Sequence, residues 1–280
     1  MDNNLKSLID RLEAERRLEK TEYKMLIEGF SEELAAYAAS KADRIRQSIY
    51  GKDVYIRGLI EVSNICANDC LYCGIRKSNA QCARYRLPLE TVLKCCRKGY
   101  ELGFRTFVMQ GGEDGFFTAE HICRYVSSIK KIFPDCAVTL SLGEYSKEEY
   151  KAMYDAGADR YLLRHETADE AHYEKLHPAS MSFEKRMKCL ENIKETGFQT
   201  GCGFMVGSPY QTSDTLAADL KFIENFKPHM CGIGPFIPHK DTPFGSCPAG
   251  TAELTVYLLS LIRLIRPDIL LPATTALGTI

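Results

Sequence analysis

Cys66, Cys70 and Cys73 stand in the stretch Cys-Ala-Asn-Asp-Cys-Leu-Tyr-Cys, directly after the apolar run 54–62. Three thiolates within eight residues can converge on one soft metal centre, and thiolates favour zinc or iron–sulfur clusters. No fourth cysteine completes the group. A structural zinc site takes four ligands, usually as two pairs from separate segments. The next cysteine, Cys82, follows Arg76, Lys77 and a polar stretch without paired spacing. Three ligands on a cube of four irons leave one iron open to a substrate or cofactor, so the spacing points to chemistry rather than to a structural clasp. His165, His229 and His239 fall on different strand ends without paired spacing, and they predict no second metal site.

Other residues have the right type for binding. Gly111-Gly112-Glu113 lets the backbone approach a ligand closely, although alone its default reading is a simple turn. Arg57 and Arg164 lie in otherwise apolar strand text, where an unpaired charge is costly. Two readings stay open for them. One is an internal ion pair with Glu61 or Glu166; the other is an anion-recognising cavity completed by Gln110, Thr139, Thr274 and Thr275. Arg186, in Phe183-Glu184-Lys185-Arg186, reads either as a helix-surface charge or as a planar fork for a carboxylate.

The elements that must carry these residues alternate. Residues 5–49 are charge-rich with apolar positions at helical spacing and predict two or three helices packed on the body of the protein, a layer over 1–50 capping the bottom of a barrel. From Val54 onward, strands are predicted at 54–62, 105–110, 136–142, 159–164, 199–206, 230–234 and 269–273. Amphipathic helices are predicted at 88–102, 118–132, 146–156, 182–196, 212–226 and 251–265. Repeated units of this length call for an α/β fold with a parallel sheet wrapped into a TIM-type (β/α) barrel over 51–280. The text stops at Gly278-Thr279-Ile280 after a seventh strand, so the barrel is expected to lack its eighth. Active sites of such barrels gather at the carboxyl ends of the strands, where the cysteines and Gly111–Glu113 fall.

Composition sets outer bounds. The chain has 280 residues, 45% of them hydrophobic, with a net charge of −1 and no tryptophan. That length can bury a sizeable core, and the neutral balance gives no electrostatic reason to expect nucleic acid or an anionic membrane. No segment approaches the roughly 18 apolar residues of a membrane span, and the start reads as no secretory signal. Twelve cysteines without an export signal predict a reducing cytoplasm rather than a disulfide framework. Of the nine outside the triad, Cys95, Cys96, Cys123, Cys136, Cys189 and Cys202 read as small hydrophobes of helices and strands.

Cys-x3-Cys-x-aromatic-Cys, with Tyr72 as the aromatic, resembles the signature of radical S-adenosylmethionine (SAM) enzymes. The flanking text resembles one family of them, the FeFe-hydrogenase maturase HydE, in Ile60–Cys66, Gln110–Asp114, Thr139–Glu144, Asp159–Thr167, Gly232–His239 and Pro272–Ala276. Biotin synthase and methylornithine synthase share part of it. The resemblance implies a 4Fe–4S cluster on Cys66, Cys70 and Cys73 with SAM on the open iron. It implies SAM contacts from Tyr72, Gly111, Gly112, Glu113, Ser141, Glu166 and Arg186: Glu113 at the amino group, Glu166 at the ribose hydroxyls, Arg186 at the carboxylate. It also favours a carboxylate-bearing, amino-acid-derived ligand at Arg57, Gln110, Thr139, Arg164, Thr274 and Thr275. The implied role is assembly of the diiron subcluster of FeFe-hydrogenase, on a small molecule or a cysteine-bound iron carbonyl-cyanide species. The implied partners are other maturases and a reductant such as ferredoxin or flavodoxin. No second cysteine set suggests the sacrificial cluster that biotin synthase-like sulfur insertion needs.

Overall fold

A computed structural model describes residues 2–279. Three helices come first: α1 (Asn3–Glu15), α2 (Lys20–Glu28) and α3 (Glu32–Tyr50). Side chains close their open amino ends, Asp2 accepting from the Asn4 amide and Ser31 from the Leu34 amide. Their apolar stripes (Leu8, Ile9 and Leu12; Tyr23, Leu26 and Ile27; Leu34 and Ala38) are buried. The partners are α9 (Ser213–Phe226) and α10 (Ala252–Ile265), with α2 on α9 and α1 and α3 on α10. The layer therefore lies chiefly against outer helices of the barrel. This placement explains the text of α10: covered on two sides, it buries Tyr257, Leu258, Leu261, Ile262, Leu264 and Ile265 and shows little polar face. Glu224 of α9 anchors the layer by accepting from the Tyr23 hydroxyl at 2.8 Å, the Leu18 amide at 3.2 Å and Lys221 Nζ at 2.6 Å.

The barrel follows as β1 (Gly58–Ser63), α4 (Leu89–Glu101), β2 (Thr106–Gly111), α5 (Ala119–Ile132), β3 (Ala137–Ser141), α6 (Lys147–Asp155), β4 (Arg160–Leu162), α7 (Glu170–Leu176), α8 (Phe183–Thr196), β5 (Gln199–Cys202), β6 (Met205–Val206), α9, β7 (Met230–Cys231), β8 (Gly234–Pro235) and α10. Six strands form one parallel sheet in the order β1-β2-β3-β4-β5-β7, and β6 pairs with β8 beyond their carboxyl ends. Among the described residues, β1 and β7 are the sheet's two edges. This is a TIM-type barrel left open on one side.

The alternation of each strand sorts its residues between helices and lumen. Phe107 packs on Phe133 with ring centroids 6.0 Å apart, and Tyr161 on Tyr150 and Phe198 at 5.0 and 5.7 Å, so their phase faces the helices. The opposite phase, tied by the registers Leu59–Val108–Thr139–Arg160–Gln199 and Glu61–Gln110–Ser141, faces the lumen.

Four expectations change. The first strand begins at Gly58, and Val54, Tyr55 and Ile56 are 85%, 67% and 63% exposed because no element covers them. The stretches 199–206 and 230–234 each break into two short strands. The stretch 269–273 shrinks to a single bridge from Leu270 to Met230, since Pro272 has no amide to extend a ladder. Helix α7, capped by Asp169, lies where no element was predicted; seven residues are too few to display helical periodicity. No helix among the described residues is long and apolar enough to cross a membrane.

Glu224→Ala would strand a buried tyrosine hydroxyl and the Leu18 amide. A loss of about 1–3 kcal/mol is expected in urea unfolding, and an unchanged midpoint would show that this carboxylate does not hold the layer.

Candidate active site at the carboxyl ends of the strands

Residues 64–86, which carry the cysteines, form almost no regular secondary structure. Their backbone groups must therefore be met by side chains. Arg84 does most of this: Nη1 donates to the carbonyls of Asn64 at 2.6 Å and Ile75 at 2.8 Å, and Nη2 to those of Arg76 at 2.6 Å and Asn79 at 3.2 Å. Asp69 accepts from Arg76 Nε at 2.7 Å and from both the amide and the hydroxyl of Ser78. The Arg76 bond, followed by those of Ser78, holds the Asp69 carboxyl well below the usual carboxylate range. At the base, Asp114 binds Arg86 through both oxygens at 2.6 and 2.8 Å and accepts from the Ser63 hydroxyl at 2.7 Å. Burial works against that carboxylate's charge, but Arg86, the Phe116 amide and Ser63 outweigh it. The Ala67 amide donates to the Glu113 carbonyl at 2.8 Å, tying the loop to the end of β2.

Two glycines let this loop seat. A Cβ on Gly112 would strike the Ile65 carbonyl oxygen and lie 2.8 Å from Cys66 Cβ; one on Gly74 would lie 2.7 Å from the His239 ring. The close approach that Gly112 permits is thus made by the cysteine loop itself.

Cys66, Cys70 and Cys73 are each partly buried and free. Burial first, then the neighbouring Cys73 and Cys66, pushes the Cys70 thiol up to about 12, and burial raises Cys73 as well. Burial disfavours the thiolates of Cys70 and Cys73, so metal binding must displace their protons. Among the described residues, no three His, Cys, Asp or Glu side chains converge tightly enough for a single ion. Three cysteine thiols in one loop are a donor set that an iron–sulfur cluster accepts. Tyr72 turns its hydroxyl to His177 Nε2 at 3.1 Å and its ring edge-on to that imidazole, which stacks on Tyr173 at 3.9 Å. Met181 Sδ lies 3.6 Å from Cys70 Sγ.

Beside the thiols is a set of buried charges. Arg186 is 8% exposed, which removes the surface reading. Its Nε lies 2.8 Å from Glu144 Oε1, its Nη2 3.5 Å from Glu113 Oε1, and its Nη1 donates to the Arg164 carbonyl at 3.3 Å. Burial opposes the Arg186 charge, but Glu144, Tyr173 and Glu113 raise its pKa overall. Burial raises Glu113 too, with Arg186 pulling the other way. Arg164 Nη2 sits 3.2 Å from Glu166 Oε2, so the internal ion pair exists. Ser141 and Gln110 stand side by side in register at the ends of β3 and β2 on the lumen phase, and Thr139 lies lower on the same phase, buried.

The remaining residues are placed apart. Arg57 precedes β1 and is exposed; the charge acting on it is that of Arg160, not Arg164. Thr274 donates to the Ile233 carbonyl at 3.1 Å, and Thr275 is exposed at the start of the 3₁₀ turn Ala276–Gly278. No hydrogen bond or ion pair among the described residues joins Arg57, Arg164, Thr274 and Thr275 to one another. Arg160, bonded to Gln199 Oε1 at 2.7 Å and Thr106 Oγ1 at 3.3 Å, is a lumen charge that sequence reasoning passed over, although it stands in the same arginine-bearing stretch as Arg164. Glu144 was missed despite lying in a quoted motif. Arg84 gave no signal at all, because its partners are backbone carbonyls.

Several buried polar atoms here have no aligned hydrogen bond: Arg164 Nε and Nη2, Glu166 Oε2 and Arg186 Nε, the ion-pair distances notwithstanding. Buried groups are rarely left so. A ligand bearing hydroxyls and a carboxylate would satisfy them, and the three thiols beside them suit an iron–sulfur cluster. The residues present therefore fit both groups.

The family comparison agrees. The model of the Radical SAM superfamily matches residues 60–223, and the chain belongs to that superfamily. The FeFe hydrogenase maturase subunit HydE of Thermotoga maritima is 44% identical over 272 residues, covering 97% of this chain and 76% of that protein, which places the chain in the HydE family. A 3-methylornithine synthase of Methanosarcina acetivorans is 26% identical over 275 residues, 98% of this chain and 72% of that one. The crystal structure of methylornithine synthase (PylB) superposes with TM-score 0.85 at 23% identity, over 95% of this chain and 78% of the other. That of the maturase HydG gives 0.84 at 23%, over 97% and 63%. At these identities the structures show the shared fold.

Arg84→Lys cannot serve four carbonyls. Iron bound after anaerobic reconstitution should fall by half or more, with far-ultraviolet circular dichroism unchanged; full iron loading would show that the loop holds its shape without this fork.

Proposed function

We propose that this chain is a radical SAM enzyme acting in assembly of the diiron active-site cluster of FeFe-hydrogenase. The observation that carries the reading is the partly buried three-thiol group, without a fourth ligand, beside unsatisfied donors and acceptors at the same strand ends. Cys66, Cys70 and Cys73 would hold a 4Fe–4S cluster, leaving one iron for the amino and carboxylate groups of SAM. When bound, the reduced cluster supplies one electron that breaks a sulfonium sulfur–carbon bond, giving methionine and a 5′-deoxyadenosyl radical.

The chain's own residues bind, orient and exclude. Glu113, 3.5 Å from Arg186 Nη2, would meet the cofactor's ammonium beside the Gly111-Gly112 backbone. Glu166 and Ser141 would meet the ribose hydroxyls. Arg186 already pairs with Glu113 and Glu144, so it would serve the cofactor carboxylate as the cofactor's ammonium takes over part of the demand of those two carboxylates. Tyr72 acts by packing, since its hydroxyl is taken by His177. Arg164, Gln110 and Thr139 would orient an anionic substrate from the lumen side. Arg57, Thr274 and Thr275 would join them only if the open side of the barrel brings them closer. A radical attacks only what lies within contact range, so this orientation decides the product. The substrate is an amino-acid-derived small molecule or cysteine-bound iron complex, passed on by another maturase, with ferredoxin or flavodoxin as electron source. An oxygen-free, reducing cytoplasm suits such a cluster.

Anaerobic reconstitution followed by dithionite and SAM tests the reading. The native protein should bind about four irons per chain and release 5′-deoxyadenosine, as one cluster requires. Cys66→Ala, Cys70→Ala or Cys73→Ala should each abolish that release, and full iron content surviving the triple replacement would refute the cluster assignment. An iron-loaded protein that never cleaves SAM would be a cluster carrier instead.

Because the Cys70 thiol is protonated well above neutrality without metal, iron loading should speed up as pH rises from 7 to 9. A pH-independent rate, followed by absorbance near 400 nm, would show that thiol deprotonation is not limiting.

A further inference from the structure

His165 and Asp219 are fully buried side chains on the helix side of the barrel, away from the lumen. The imidazole lies 4.6 Å from the Phe222 ring of α9 and 5.9 Å from that of Phe204. His165 Nε2 is 3.2 Å from Asp219 Oδ1. The Gly203 amide donates to His165 Nδ1 at 3.3 Å, so the ring proton sits on Nε2 and is donated to Asp219. Asp219 Oδ1 also accepts from the Ala168 amide at 2.6 Å. Burial draws the His165 pKa down to about 3 and pushes the Asp219 carboxyl well above the usual carboxylate range, so the imidazole of the pair is neutral. Apolar residues of similar size would fill this space at less cost than a carboxylate and an imidazole.

What the pair encloses gives it a purpose. Between Gly203 and Ala168 runs Glu166, a non-glycine residue with φ of +67°, a conformation that L side chains adopt only when their surroundings enforce it. Its amide donates to the Gly203 carbonyl at 3.0 Å and its carbonyl accepts from the Met205 amide at 3.3 Å. Glu166 Oε2 is one of the unsatisfied atoms of the lumen. We propose that the His165–Asp219 pair is a positioning device for Glu166, clamping the backbone on both sides so that the strained residue presents its carboxylate to the lumen. This rests on the reading of Glu166 as a contact to the SAM ribose. The two are positioning residues and touch no cofactor themselves.

A double-mutant cycle tests it, read as SAM affinity by equilibrium dialysis on the reconstituted protein, with iron content and unfolding midpoint measured alongside. Asp219→Ala should weaken SAM binding about tenfold or more at unchanged iron content, the scale typical of residues that orient a ligand-binding group. Asp219→Asn, which keeps the Oδ1 acceptor, should recover most of the affinity. In a Glu166→Ala background the Asp219→Ala change should cost nothing further. Equal losses with and without Glu166, or no loss at all, would overturn the proposal while leaving the role of Glu166 intact. Glu166→Ala binding SAM like the native protein would instead defeat the ribose reading, and the positioning role with it. His165→Leu, which fills the apolar site, runs the same cycle independently should Asp219→Ala not fold.

Discussion

The site depends on one guanidinium meeting an otherwise unsatisfiable backbone. The three thiols for one cluster come from a segment that is neither helix nor strand. An irregular segment loses the ladder of internal hydrogen bonds, and its carbonyls still need donors where water is excluded. Arg84 supplies four of them from a single rigid fork, while Asp69 with Arg76 and Asp114 with Arg86 close the two ends. Without this internal scaffold the cysteines would have the right spacing and no defined arrangement.

Charge balance is the second constraint. Buried Arg186 stands between the part-buried carboxylates of Glu113 and Glu144 and offsets the charge of both, and Arg164 with Glu166 forms a part-buried pair alongside. Distances in both sets satisfy Coulomb attraction, yet several atoms lack aligned hydrogen bonds. The groups are close together and incompletely paired, which is the condition in which a ligand gains from entering. A binding site for a zwitterionic, hydroxyl-bearing cofactor can be built from such residual demand, whereas a fully satisfied salt-bridge network would offer it nothing.

The barrel and its helical layer supply rigidity at a distance. Each strand gives one alternation to the helices and the other to the lumen, so a strand-end residue has its direction set by the packing of Phe107, Tyr161 and their neighbours several residues earlier. Glu166 shows how far this goes: its backbone is held in a left-handed conformation by hydrogen bonds to Gly203 and Met205 in the adjoining strands and loop.

The sequence by itself determined the alternation of strands and helices, because each amphipathic helix carries its period over three or four turns and its caps are local side-chain events, as with Ser182 for α8 and Thr251 for α10. It also determined the cysteine triad, whose meaning lies in spacing and in the lack of a fourth member, and the family, whose motifs are spread along the chain. Tertiary structure alone decided the rest. Whether 54–57 and 269–273 become strands depends on partners, not on local apolar text. Whether Arg186 is a surface charge or a buried partner of two carboxylates depends on what β2 and β3 bring beside it. Arg84 and the His165–Asp219 pair were illegible beforehand, since a guanidinium bonded to backbone carbonyls and a buried histidine leave no pattern in the text. Their roles arise from long-range contacts that only the closed packing of strands on helices creates.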